Sequence, residues 1–172
     1  MTEGILVFSK HSSLFSGRSV LQRINLHGWL LFAAMLSAWL GFGVIYWNKI
    51  ANQKPHFTTW HGSIGFLTVV YTSIQVPAGL LAKYAPSLNI PKPGILRFLH
   101  GLSGTCLCLL GFASIMLGMY SSFVGDAIYF RGAVGVGLFL LAMILLGQAA
   151  ILIQKKKSLF LANVKKTSEV AK

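Results

Sequence analysis

The sequence predicts an all-α membrane protein in which four transmembrane helices form one helical bundle. Its 172 residues are 55% hydrophobic and only 10% charged, and the mean hydropathy is +0.68, which is typical of membrane-embedded chains. Four apolar stretches each approach the roughly 20 residues that a helix needs to cross a bilayer. The cationic residues lie between and after these stretches, so the net charge of +12 indicates membrane topology rather than a nucleic-acid partner.

Each helix is placed by its apolar run. The predicted spans are residues 28–47, 62–82, 100–119 and 133–153. The first ends with Tyr46 and Trp47, aromatic residues that favour the headgroup level. The second contains Pro77, whose kink neighbouring helices can accommodate. Gln75 and Gln148 are strongly polar side chains within the second and fourth spans, and we expect them to form hydrogen bonds between helices.

The distribution of charge predicts the orientation. With four spans, both termini and the loop after the second helix share one side of the membrane, which carries twelve of the fifteen Lys and Arg residues. This asymmetry places both termini in the cytoplasm. The predicted organisation is therefore a cytoplasmic N-terminal segment at 1–25, a transmembrane domain at 26–154 and a basic cytoplasmic tail at 155–172.

Three histidines stand at the entrances of the first three predicted helices, each followed directly by glycine. The residues are His27 and Gly28, His61 and Gly62, and His100 and Gly101, with Gly104 completing a His-Gly-x-x-Gly pattern in the last. An ionisable group at membrane depth suggests a functional site. Imidazole is a common axial ligand of haem iron, and glycine lets a flat macrocycle approach the helix backbone. Histidines that only bridge helices are the alternative, but three occurrences favour ligands.

Helix direction pairs these histidines. The first and third helices run the same way, so His27 and His100 stand at the same, cytoplasmic entrance and can share one iron. His61 lies on the opposite side, about 30 Å away, where the fourth helix offers no histidine. His56 is a poor substitute because it would approach from nearly the same direction as His61. We therefore expect one firmly held haem, with a second only weakly bound.

Cations accompany the cytoplasmic pair. Arg23 precedes His27 by four residues and Arg97 precedes His100 by three, which is one helical turn if the helices extend that far. Together with Lys10 they form a candidate site for haem propionates or an anionic reductant. Arginines that merely anchor the helices at the interface are the alternative. On the far side, His56 is the candidate contact for an acceptor, or else a loop histidine without a role.

These features resemble the cytochrome b561 family. The entry histidines, the His-Gly-x-x-Gly openings, Pro55-His56 and the N-terminal Ile5-Leu6-Val7-Phe8-Ser9 carry the resemblance, which runs from about Gly4 to Gln154 and is closest to a short subgroup. It implies a six-helix protein with two haem b groups that moves electrons from cytosolic ascorbate to ferric iron or monodehydroascorbate. It also implies an endoplasmic reticulum or vesicle membrane. By resemblance, His27 and His100 bind the cytoplasmic haem and His61 binds the other.

The chain departs from this family at its start. Its four helices correspond to helices three to six, and the histidine expected opposite His61 is missing with the first two. We therefore expect a shortened product with impaired activity, in which a partner chain or a homodimer would supply the second ligand. A non-enzymatic membrane scaffold with structural histidines is the competing interpretation. A channel or transporter is disfavoured because the four spans contain no carboxylate.

Overall fold

The computed structural model describes residues 2–8, 15, 17–120 and 128–170 and is helical throughout its regular structure. Five helices follow one another: α1 (Thr2–Leu6), α2 (Val20–Ala51), α3 (Trp60–Tyr84), α4 (Pro93–Met119) and α5 (Ile128–Val170). Four of them contain stretches long and apolar enough to cross a membrane, namely α2, α3, α4 and residues Ile128–Ile151 of α5. The predicted fold class, an all-α membrane bundle, is confirmed.

The helices are longer than the apolar runs that predicted them. Helix α2 begins at a capping box, in which the Ser19 side chain accepts from the Gln22 backbone and the Gln22 side chain accepts from the Ser19 backbone. Helix α4 begins at Pro93, a residue suited to the first helical turn. Both helices therefore include polar turns before their apolar runs. As a result His27 and His100 each lie two turns inside their helices rather than at the entrance.

The last helix also differs from the prediction. Helix α5 continues to Val170, so the backbone of most of the segment predicted as a separate tail at 155–172 is part of the same helix. Its candidate membrane span is Ile128–Ile151. The helix continues well beyond this span, and the lysines that follow are good helix formers. The tail's cytoplasmic location stays a prediction.

Consecutive helices pack antiparallel. Between α2 and α3, Lys83 Nζ donates to Asn25 Oδ1 (2.9 Å) near one end, and Trp39 Nε1 donates to Ser73 Oγ (2.8 Å) further along. Between α4 and α5, Gly135 lies against the Met116 side chain. Because neighbours alternate in direction, the starts of α2 and α4 lie at the same end of the bundle.

The short α1 helix packs against the bundle. Leu6 forms a buried cluster with Cys108 of α4 and Leu145 of α5, and Val7 is fully buried. Gly4 lies against Leu31 of α2, so closely that a Cβ on Gly4 would be 2.8 Å from Leu31 Cδ2. Part of the predicted N-terminal segment at 1–25 therefore contributes to the packed interior. Lys10, predicted as a substrate contact, lies outside the described residues.

The bundle exposes large apolar side chains on its outside and buries a few polar side chains inside. Buried polar residues include Thr72, Gln75 and Ser114 on α3 and α4. On α2, Trp29 is 72% exposed and Leu40 is 73% exposed. An apolar exterior is the arrangement that a lipid solvent requires, because polar groups then find partners within the protein.

The Leu6–Cys108–Leu145 cluster should carry much of the packing of α1 and α5. We expect Leu145→Ala to lower stability by about 2–5 kcal/mol, because the side chain is only 2% exposed and its removal leaves a cavity. Thermal unfolding in a fixed detergent measures this change. Leu146→Ala is the matched control, since Leu146 is 45% exposed and should change stability little. Equal effects of the two substitutions would contradict the assigned core.

Candidate functional site

Helices α2 and α4 bring two imidazoles together. The ring centroids of His27 and His100 lie 6.1 Å apart, with an angle of 85° between the ring planes. Both residues stand at the same depth, two turns into helices that start at the same end of the bundle. Equal depth in parallel helices therefore makes them meet across the bundle interior. This pair defines one end of the bundle, which we call the His27–His100 end.

A backbone carbonyl fixes the proton on His27. His27 Nδ1 lies 2.6 Å from the carbonyl oxygen of Gly4, and because a carbonyl only accepts, the Nδ1–H must donate. The other ring nitrogen, Nε2, then keeps its lone pair, which is the state that binds a metal. The Phe8 ring packs 5.4 Å from the imidazole. Helix α1 and the residues after it therefore orient this histidine.

His100 rests on glycine backbone instead. A Cβ on Gly79 of α3 would lie 3.1 Å from His100 Cε1 and 3.3 Å from Nε2, so the ring occupies the space that a side chain would need. Within the described part of the chain, His100 Nδ1 is buried without a hydrogen-bond partner. The ring is thus held by packing on one side, while one of its polar atoms is left unsatisfied.

The spacing of the pair is compatible with one metal held between the two rings. Two imidazole nitrogens that bind one metal at about 2 Å each set the ring centres roughly 6 Å apart, close to the observed 6.1 Å. Two imidazole donors would suffice for an iron whose remaining positions a macrocycle fills. The donor set therefore suits haem, with His27 and His100 as the residues that would hold it.

His61 stands at the opposite end of the α3–α4 pair. Its Nδ1–H donates to the carbonyl oxygen of Ser114 (2.8 Å), again leaving Nε2 free. A Cβ on Gly118 of α4 would lie 2.9 Å from His61 Cε1. Along α3, five helical turns separate His61 from Gly79, the glycine that His100 contacts, which is most of the thickness of a membrane core. His61 therefore cannot share an iron with the other two histidines.

The two contacts are related by an internal repeat. Each histidine on α3 or α4 packs against a glycine of the other helix. The segments 60–80 and 99–119 align without a gap, and this alignment superimposes His61 on His100 and Gly79 on Gly118. The sequence prediction missed both glycines. The signal was present, because the repeated motif extends beyond His-Gly-x-x-Gly to this later glycine.

The predicted glycines have varied surroundings. A Cβ on Gly28 or Gly104 would meet nothing within 4 Å among the described atoms, and a Cβ on Gly62 would meet Thr59 Oγ1 at 3.4 Å. Gly101 lines a small cavity between α4 and α5. The space beside Gly28 and Gly104 is compatible with a flat ligand. Their role in binding a cofactor stays a prediction.

Three cations from three helices gather at the His27–His100 end. Arg97 Nε donates to the carbonyl of Ala82 (3.4 Å), and Lys83 Nζ donates to Asn25. Arg23 Nε is buried with no hydrogen-bond partner in the described part of the chain. The helices do extend through both arginines. Lys83 was missed by the sequence prediction, although it lies one turn after Gly79.

At the His61 end, His56 is engaged elsewhere. Its ring stacks on Tyr46 of α2, with centroids 4.3 Å apart and 24° between the planes. Lys49 Nζ donates to the carbonyl of Pro55 (3.0 Å) and holds the loop that carries His56. The His56 ring therefore lies against α2 and not against His61.

Comparisons with known proteins identify the relatives of this chain. The family model described as Eukaryotic cytochrome b561 matches residues 1–125. The Transmembrane reductase CYB561D2 of Bos taurus is 37% identical over 147 residues, covering 84% of this chain and 62% of that protein. The Probable transmembrane reductase CYB561D1 of Mus musculus is 36% identical over 121 residues, covering 70% and 53% respectively.

The chain spans only part of these relatives. The CYB561D2 protein of Mus musculus is 35% identical over 144 residues, and again 84% of this chain covers 62% of the relative. No solved structure matches.

The glycine contacts predict opposite signs for two equivalent substitutions. We expect Gly118→Ala to destabilise the protein by about 1–3 kcal/mol, because its Cβ would meet the His61 ring at 2.9 Å. Gly104→Ala should be neutral or stabilising by up to about 1 kcal/mol, since it improves helix propensity in open space. Thermal unfolding in one detergent compares them. A stabilising Gly118→Ala would contradict the observed packing.

Proposed function

This chain belongs to the eukaryotic cytochrome b561 family, and from that membership we propose that it is a haem-binding transmembrane electron carrier. The resemblance predicted from the sequence is confirmed, including its likeness to the b561 domain-containing protein 2 subgroup. The relatives bear the name transmembrane reductase. We propose that this chain acts likewise as an oxidoreductase, specifically an ascorbate-dependent ferric reductase.

One observation carries the proposal. His27 and His100 face one another at 6.1 Å, inside a bundle whose exterior is apolar. Structural histidines would also form hydrogen bonds to carbonyls, as His27 does. They would not require a second imidazole opposite. Two ligands that hold one metal between them account for this pairing.

The residues of this chain would hold and shield the redox group. Bound haem b supplies a one-electron centre tuned by its axial ligands and surroundings. His27 and His100 would bind its iron, and Gly79 would keep the His100 ring in place. Arg23, Lys83 and Arg97 would attract a reductant anion to this end. Ascorbate there would lose one electron and release one proton to the solvent on its side. On the far side, a ferric ion would gain one electron, or monodehydroascorbate would gain one electron and take up one proton.

The far side needs a second relay. We propose that His61 is one axial ligand of a second haem, whose other ligand comes from a partner chain, such as a second copy in a homodimer. His56, stacked on Tyr46, is the proposed contact for the acceptor. With one haem at the His27–His100 end, most of the roughly 30 Å hydrocarbon layer would lack a relay.

Orientation and membrane complete the proposal. We place both termini in the cytoplasm because twelve of fifteen cations lie on that side of the predicted spans. The His27–His100 end then meets cytosolic ascorbate. By family resemblance the membrane is that of the endoplasmic reticulum or of vesicles.

Replacement of either paired histidine should have the same effect. We expect the purified wild-type chain to hold one haem per chain, and His27→Ala and His100→Ala to hold at least tenfold less, because each leaves the iron with one protein ligand. His61→Ala should keep the firmly held haem. A pyridine haemochromogen assay against protein concentration measures all four.

Two outcomes would contradict this assignment. A wild-type chain with no Soret band after expression with haem would favour the scaffold interpretation. Two haems per chain in a verified monomer, each lost with its own histidine, would overturn the ligand count.

The cation cluster predicts salt-dependent reduction. We expect Arg23→Gln with Arg97→Gln to slow haem reduction by ascorbate about tenfold at low ionic strength, with little difference at high salt. Lys49→Gln with Arg131→Gln is the control, since it removes the same charge from the His61 end. Stopped-flow absorbance measures the rate. An unchanged rate in the double arginine variant would identify these residues as helix anchors.

A further inference from the structure

Two buried polar atoms near His100 lack partners. Within the described part of the chain, neither His100 Nδ1 nor Gln75 Oε1 has a hydrogen-bond partner. His100 Nδ1 is a ring nitrogen that can carry a proton and donate it, whereas Gln75 Oε1 is a carbonyl oxygen that can only accept. A buried atom of either kind costs free energy when it is left unpaired. Two complementary unsatisfied atoms in one interior therefore suggest a bond that forms in another state of the site.

A hydrogen-bond chain links the two residues. Gln75 Nε2 donates to Ser103 Oγ, and the Ser103 hydroxyl donates to the carbonyl of His100 (3.2 Å). Because the hydroxyl proton is already used, Ser103 can only accept from Gln75, which fixes the amide nitrogen toward Ser103. The amide oxygen is therefore the atom left over. Gln75 also lies one turn before Gly79, on which the His100 ring rests.

The internal repeat gives an independent argument. The same alignment that superimposes His61 on His100 also superimposes Ser114 on Gln75. At the other end of the bundle, Ser114 supplies the carbonyl that accepts the Nδ1 proton of His61. His27 has the same kind of partner in Gly4. Of these three histidines, His100 is the one for which no Nδ1 acceptor lies among the described residues. The position that supplies a backbone carbonyl to His61 is here occupied by Gln75, whose side chain carries a further carbonyl.

We propose that Gln75 is the positioning residue for His100: its Oε1 accepts the Nδ1 proton when Nε2 binds the haem iron. This inference rests on the proposed function. Neither atom has to give up an existing hydrogen bond to form the new one. Such a partner fixes the tautomer and raises the basicity of a ligating imidazole. Its loss should therefore favour the reduced iron and weaken haem retention.

Gln75→Leu removes the acceptor at similar volume, and Gln75→Glu keeps an oxygen there. We expect Gln75→Leu to retain haem about tenfold less tightly and to raise the midpoint potential of the remaining haem. Gln75→Glu should restore retention close to the wild-type value. Thr72→Val is the matched control, because Thr72 is buried on the same helix and its hydroxyl donates to the Thr68 carbonyl one turn earlier in that helix.

The readouts are haem loss to an acceptor protein and a redox titration followed by absorbance. Faster haem loss and a higher midpoint potential in Gln75→Leu, with neither change in Thr72→Val, support the proposal. Unchanged haem loss and potential in Gln75→Leu would overturn it. Equal changes in Thr72→Val would also overturn it, because they would show a general effect of packing. A wild-type chain without a haem spectrum would instead refute the proposed function, so the two failures are distinguishable. If Gln75→Leu does not fold, Gln75→Glu takes its place: retained haem with a midpoint potential below those of wild type and Thr72→Val supports the proposal, because a carboxylate is the stronger acceptor. A Gln75→Glu potential equal to theirs, or loss of haem in this variant, contradicts it.

Discussion

The packing of imidazole on glycine across the α3–α4 pair is the constraint on which the rest of this structure depends. Without a hydrophobic force between helices in lipid, close approach of backbones holds a bundle together. Here that approach is set at both ends of one helix pair, by His61 on Gly118 and by His100 on Gly79. Two contacts at opposite ends of the pair fix the register. The same contacts bring each histidine into the interior, so helix packing and the placement of these histidines have one cause.

Much of the fold could be predicted from the sequence because a bilayer leaves few choices. Apolar runs of sufficient length identified all four spans that the structure contains. The ends were less predictable, since helices continue into polar residues wherever a cap or good helix formers allow. Ser19 and Gln22 extend α2 upstream of its apolar run, and Lys92 precedes the proline that starts α4. Hydropathy predicts which residues lie in the membrane, whereas backbone hydrogen bonds and caps determine the residue at which a helix begins or ends.

The candidate site was predictable only in part. Helix direction alone placed His27 and His100 at one end, because it follows from counting spans. The rings of His61 and His100 pack on glycines near the far end of the neighbouring helix. The sequence motif around each histidine does not identify those glycines. Gln75 was expected to bond between helices, and it does so with Ser103. Which of its two polar atoms is left free could not be predicted, because that depends on the rotamers of two helices packed together.

The two ends of the bundle differ because one brings two histidines together and the other holds His61 alone among the described residues. This difference follows from helix direction rather than from side-chain chemistry. Two histidines that both lie near the starts of their helices meet when those helices run the same way, which consecutive helices in this bundle do not. Helices α2 and α4 run the same way, and each carries a histidine near its start. For α3 the helices that run in its direction are α5 and any helix that precedes α2, and α5 contains no histidine. Helix α1 (Thr2–Leu6) comes before α2. Its Gly4 carbonyl contacts His27, and its five residues contain no histidine that could pair with His61. His61 packs on Gly118 and has a fixed tautomer, but no second histidine lies opposite it among the described residues. Under the proposed function, the His61 end would therefore be a half-site.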